Sequence, residues 1–296
     1  MTIQSLAILT EPKPSFNPHP SKAKLKLPPG SCDAHFHVFG PPAQFPFAEN
    51  RAYTPAGAPK EELFALHEFF GIDRGVAVQS AAHGFDNSAA ADLIANKKGR
   101  YVGVALVPVN VEAVALKRLD EQGFRGARFN YVKHLGTPPP IDDVIKLGGK
   151  LAALGWHLQI HMESSGISEL APSLKLSPVP VVIDHMGRVD AELGLDQAPF
   201  RNLLKLLEDQ KIWVKVSGAE RISRHGDPYA DAVPFARKLV TDFGDRTVWG
   251  TDWPHPNLKA IPDDGILVDL IEKMASSEAQ RQALLVDNPQ RLYKFA

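Results

Sequence analysis

Cysteine is nearly absent from this chain of 296 residues: Cys32 is the single one. That excludes an intramolecular disulfide framework and fits a reducing compartment such as the cytoplasm. No neighbouring residue marks the thiol as activated, so Cys32 reads as packing beside Asp33. An excess of either charge is also missing. Lys+Arg 33 against Asp+Glu 34 leaves a net charge of −1, so no global field points to nucleic acid or to an anionic membrane. Anion binding must then come from a few placed arginines. No apolar run reaches the roughly 18 residues that a membrane-spanning helix needs. A secretory signal is not expected, because the first residues lack a basic start and Pro12, Pro14, Pro18 and Pro20 soon interrupt the chain. Repeats, low-complexity stretches and an interdomain linker are not apparent either.

What the chain does have is alternation. Short apolar runs are expected as strands at Ser31–Phe39, Arg74–Ser80, Tyr101–Val107, Gly126–Asn130, His157–Met162, Val179–Asp184, Ile212–Ser217 and Thr247–Asp252. Between them lie helical patterns at Lys60–Phe70, Ser88–Lys98, Val111–Gln122, Ile141–Leu154, Gly166–Leu176, Phe200–Gln210 and Tyr229–Phe243. Ile266–Met274 and Ser277–Leu285 follow the last strand. Pro172 is expected to start or bend its helix. Eight strands, each followed by a helix, predict a single α/β domain of the (β/α)8 TIM-barrel type, residues 29–296, behind an irregular N-terminal arm, residues 1–28. The arm would lie on the barrel or on a partner subunit, or trail as a disordered tail. An open doubly wound sheet is the runner-up, but no Gly-x-Gly-x-x-Gly follows the first strand.

In such a barrel, chemistry sits at the C-terminal strand ends. His35 and His37 end the first strand, and with a period of two their side chains share a face and can close on one ion. His161 lies near the end of the fifth strand, His185 at the tip of the sixth, and Asp252 at the end of the eighth. Each alone has a plain packing role; together they define a candidate catalytic site. Arg128, Arg221 and Arg188 lie near the same mouth and suit carboxylate or sulfonate groups through their planar fork. His83 and Asn257 sit in mouth loops and are candidates to touch substrate. His255, between two prolines, is expected to shape the last loop, and Trp253 to serve as cleft wall or as packing.

This arrangement resembles the amidohydrolase superfamily from Asp33 to Tyr293. Asp-Ala-His-Phe-His-Val-Phe-Gly-Pro, His-Gly-Phe-Asp-Asn, Gly-Ala-Arg-Phe-Asn, Ile-Asp-His-Met-Gly-Arg and Trp-Gly-Thr-Asp-Trp-Pro-His-Pro-Asn are similar to the 2-pyrone-4,6-dicarboxylate lactonases and the related 4-sulfomuconolactone hydrolases. The resemblance implies a lactone hydrolase of bacterial aromatic-compound breakdown, acting on a small anionic lactone. It also implies anion-binding roles for Arg128 and Arg221 and a loop role for Tyr53. Two positions depart from the dicarboxylate lactonase pattern: His161 stands where that group has tyrosine, and His134 where it has arginine. That group works without a metal, whereas His161 here completes a four-ligand set.

The expectation is therefore one divalent ion, zinc by ligand type, on His35, His37, His161 and Asp252. Asp252 would act as general base and then acid, and His185 would polarise the carbonyl. The departures favour 4-sulfomuconolactone over the pyrone dicarboxylate. A metal-independent lactonase, a related decarboxylase and a non-catalytic binding barrel remain as alternatives, and a homo-oligomer is left open.

Overall fold

The structure is a computed structural model that describes residues 15–296; the first half of the expected arm, residues 1–14, lies outside the described residues. Eight parallel strands pair in sequence order. They are β1 (Cys32–Phe36), β2 (Arg74–Val78), β3 (Tyr101–Leu106), β4 (Phe124–Tyr131), β5 (His157–Met162), β6 (Val181–Ile183), β7 (Ile212–Lys215) and β8 (Thr247–Val248). The helices outside them begin with α1 (Lys60–Phe70), α2 (Ser88–Asn96), α3 (Ala113–Glu121) and α4 (Ile141–Ala153). They continue with α5 (Ile167–Lys175), α6 (Ala198–Leu207), the short α7 (Ala219–Ile222), α8 (Val233–Phe243) and α9 (Asp264–Met274). After α10 (Glu278–Gln282) comes a wide turn at Ala283–Asp287 and then α11 (Asn288–Tyr293). The α/β barrel expected from the alternation is the architecture observed.

Helix boundaries follow local chemistry. Asp263 caps α9 by accepting from the Gly265 N–H, and Ser277 with Gln280 forms a reciprocal capping box on α10. Pro172 falls inside α5 rather than at its start. β4 runs longer than its apolar stretch because six residues, Gly126 to Tyr131, stay in register with β5. The final strand is shorter than expected, and the reason is closure of the barrel.

β8 has two residues, yet the chain after it continues to bond β1. Ala34 N donates to Trp249 O at 2.8 Å, Asp252 N to His35 O at 2.8 Å, and His37 N to Trp253 O at 2.7 Å. Asp33, fully buried, fastens the same seam. Its Oδ1 accepts from the N–H groups of His35 and Thr251, each at 3.0 Å, and its Oδ2 from the Thr251 hydroxyl at 2.6 Å. The backbones approach so closely at Gly250 that a Cβ there would lie 2.4 Å from His35 N. No other residue fits without parting the seam.

The strand starts enclose an apolar floor. Cys32, Ala34, Val76, Val78, Val102, Val104, Val182 and Val248 pack with Leu292, Tyr293 and Phe295 from the C-terminus. Burial pushes the Cys32 thiol up, consistent with its reading as packing. The described part of the arm lies on the barrel: Ser21 N donates to Asp263 at 3.0 Å, Lys24 N to Asp269 at 2.7 Å, and Phe16 packs on Trp253 with ring centroids 4.8 Å apart. Among the described residues no helix is long and apolar enough to cross a membrane.

Two glycines separate the seam from ordinary helix propensity. Gly250→Ala should lower stability by about 1–3 kcal/mol, the usual cost of overpacking. Gly149→Ala, in the middle of α4 with nothing near the added methyl, should raise it by about 0.5–1 kcal/mol. Urea midpoints of the two variants check this; equal shifts would mean that the seam is slack.

Candidate active site

The strand ends bring together a buried carboxylate and three histidine rings. β1 shifts register between Asp33 and Phe36. Ala34 belongs to the apolar floor, while His35 and His37 both face Asp252. Asp252 Oδ1 lies 3.6 Å from His35 Nε2, 3.5 Å from His37 Nε2 and 3.8 Å from His185 Nε2. Neither that oxygen nor His35 Nε2 has a hydrogen-bond partner, although both are buried. The other oxygen, Oδ2, accepts from Arg221 Nε of α7. Gly218, at φ 80°, starts α7 beside His185, where a Cβ would come within 2.8 Å of the ring's own Cβ.

A second buried cluster lies beneath. Asp184 Oδ2 accepts from Arg128 Nε at 2.9 Å and Gln159 Nε2 at 3.1 Å. Its Oδ1 is 3.6 Å from Lys215 Nζ and 3.5 Å from His35 Nδ1. Lys215, Asp184 and Gln159 were not singled out from sequence. The available signal was a lysine inside the apolar run Ile-Trp-Val-Lys-Val, since lysine is almost never fully buried unless paired.

The charges settle as these contacts dictate. Burial opposes ionisation of Asp252, but Arg221 first and then His185 outweigh it and hold the carboxyl well below the usual range. Asp184 is likewise held low against burial, by Lys215 and Arg128. Burial and then Lys215 lower His35 to about 3. Burial brings Lys215 down to about 8, with Asp184 opposing. His185 is kept neutral by burial.

His35, His37 and Asp252 form one set with potential ligand atoms all within 4.8 Å of each other; His35, Asp184 and His185 form another. His37 Nδ1 donates to Val78 O at 2.7 Å, which leaves Nε2 as a lone pair facing the unpartnered Asp252 Oδ1. That pairing suits a divalent cation. His161, expected in the ligand group, is in neither set. Its Nδ1 donates to Asn130 Oδ1 at 3.1 Å and its Nε2 faces Arg188 at 3.5 Å, so the ring belongs to the cleft wall.

Above the cluster opens a small cleft. His37, Tyr53, Arg128, His134, His161, His185, Arg188, Arg221, Asp252 and Asn257 line it, with Ser80, Leu135 and Pro256, which sequence reasoning missed. Tyr53 reaches in from the loop after β1 and bonds Ser80 at 2.7 Å. His83 does not line the cleft: it donates to Pro46 O at 3.1 Å and packs on Phe39 and Phe47, so aromatic packing claims it. His134 sits exposed at the rim, and burial and then Arg188 lower its pKa. Arg188 follows three residues that, like itself, have positive φ, His185 to Gly187. Arg128 and Arg221 have carboxylate partners within the protein, whereas among the described residues Arg188 has none within 4.0 Å. His255 instead pairs with Asp264 at 3.1 Å behind the last loop.

Comparison with known proteins gives the family. A 2-pyrone-4,6-dicarboxylate hydrolase of Comamonas testosteroni is 46% identical over 285 residues, 93% of each chain. A 4-sulfomuconolactone hydrolase of Hydrogenophaga intermedia is 40% identical, covering 93% of this chain and 92% of its own. The crystal structure of a putative 2-pyrone-4,6-dicarboxylic acid hydrolase from Pseudomonas putida is 32% identical. It superposes with a TM-score of 0.80, over 91% of this chain and 99% of that one. With the amidohydrolase family model matching residues 32–295, nearly the whole barrel and every group in its mouth, the chain belongs to the amidohydrolase family.

Proposed function

We propose that the protein is a lactone hydrolase that opens a small anionic lactone in aromatic-compound breakdown. The observation that carries this is Arg188: a cation without a carboxylate partner, in the wall of a small cleft that also holds an ionised Asp252. An anionic substrate supplies the missing charge. The named activities of the two relatives support the same reading.

The reaction adds water to the lactone carbonyl, breaks the ring C–O bond and returns a proton to the ring oxygen. Asp252 Oδ1 is unpartnered and deprotonated, so it takes the proton from the attacking water and later gives it to the leaving oxygen. Arg221 on Oδ2 fixes the orientation of that carboxylate. His185 Nδ1 lies 3.1 Å from Ser217 Oγ; with that hydroxyl donating, the ring would carry its proton on Nε2 and stabilise the carbonyl oxygen as charge develops. Arg188 and Arg128 hold the anionic groups, with Tyr53, His134, His161 and Asn257 around them. His35, His37 and Asp252 would hold a divalent ion, zinc suiting the donor types. Such an ion would supply a Lewis acid beside the reacting water.

4-Sulfomuconolactone is the preferred substrate. His134 and His161 both line the cleft, and neither offers the fork that would grip a second carboxylate. The second reading, 2-pyrone-4,6-dicarboxylate, is favoured by the 46% identical relative. The lone cysteine supports a reducing compartment such as the cytoplasm as its location.

Four measurements test this. Asp252→Asn should lower kcat roughly 10²-fold or more by removing the proton acceptor; near-normal kcat in the folded variant would identify a different base. Arg188→Met should cut kcat/KM for an anionic lactone roughly 30-fold or more, the effect of losing about 2 kcal/mol from a charged contact. A neutral lactone should be little affected, and kcat/KM for the two named lactones on the wild-type protein ranks them. Elemental analysis should find about one ion per chain, lost on chelation together with turnover. Full turnover without any ion would leave the histidines as direct polarisers of the carbonyl.

A further inference from the structure

Lys215 is fully buried, and three acceptors surround its ammonium. Ala34 O lies at 2.8 Å, Gln159 Oε1 at 2.9 Å and His35 Nδ1 at 3.2 Å. Asp184 Oδ1 is farther, at 3.6 Å. An ammonium has three donors and no lone pair. Each hydrogen therefore matches one acceptor, and His35 Nδ1 can take part only as a lone pair. A neutral imidazole in that position carries its proton on Nε2.

We infer that Lys215 is a positioning residue that fixes His35 as the Nε2–H tautomer, so that the ring presents a donor to Asp252 Oδ1. The opposite tautomer would point Nδ1–H at Asp184 Oδ1, 3.5 Å away, and set that hydrogen against the nearer ammonium. A carboxylate accepting from Nδ1–H is the usual support for a histidine that ligates metal through Nε2. Here the ammonium stands closer to Nδ1 than the carboxylate does.

The two histidines of the His-x-His pair are consequently unlike. His37 gives its Nδ1 proton to Val78 O and turns a lone pair toward Asp252; His35 turns a hydrogen toward it. A divalent ion can use His37 as it stands. It can use His35 only after the proton moves to Nδ1 and Lys215 releases that nitrogen. Lys215 thus sets whether His35 turns a hydrogen or a lone pair toward Asp252 Oδ1, 3.6 Å away.

This deepens the reading of the cleft as a hydrolase site, but its test does not depend on turnover. Nitrogen NMR of chelator-treated, 15N-histidine-labelled protein reports which ring nitrogen bears the proton, with His35 assigned by the signals lost in His35→Asn. In the wild type the proton should be on Nε2. In Lys215→Met it should pass to Nδ1, now free to donate to Asp184, so the two nitrogen signals exchange character. A wild-type proton on Nδ1 would overturn the inference, as would an unchanged tautomer in folded Lys215→Met. If that variant does not fold, the wild-type spectrum decides alone. A protein that shows the Nε2–H form yet opens no lactone would count against the proposed function and leave Lys215's role intact.

Discussion

Asp184 and Asp252 are buried where the strands end, and the mouth is arranged around neutralising them. Burying an ionised carboxylate costs several kcal/mol unless it is paired and hydrogen-bonded. Asp184 draws Lys215 from β7, Arg128 from β4 and Gln159 from β5. Asp252 draws Arg221 from α7 and faces His35 of β1 and His37 just after it. Satisfying these two charges therefore ties most of the strands to one another above the apolar floor. Removing a single cation would leave its carboxylate stranded, so the polar layer is both the reactive part and a condition of folding.

The strand-by-strand plan was legible because apolar runs and glycine or capping signals repeat at a regular interval. Its fine detail was not. A period of two does bring His35 and His37 to one side, but the register shift that admits His35 beside the floor residues leaves no mark in residue types. β8 was read as six residues, whereas Gly250 brings the chain against β1 and ends regular pairing after two.

At the site, chain position was easier to read than side-chain direction. His161 does stand near the end of β5, yet Asn130, its partner across the β4–β5 ladder, takes the ring's Nδ1 and turns the histidine into the wall. His83 was claimed by Phe39 and Phe47, residues far from it in sequence. Lys215 was hidden by the apolar run that contains it, although a charge with no exposed face is itself a demand for partners. Arg188 was the reverse case: plain in the sequence, but distinguished from its fellow arginines only by what does not contact it.

The floor gives this molecule its traffic pattern. Leu292, Tyr293 and Phe295 pack beneath the barrel in its apolar floor, and among the described residues the cleft is lined from the opposite end, by strand ends and the loops after them. Ring opening turns a lactone into an acid with one more negative charge than the molecule that arrived. That departing anion has to back out through the doorway by which it came, past the same arginines, and the grip that captures substrate becomes drag on release.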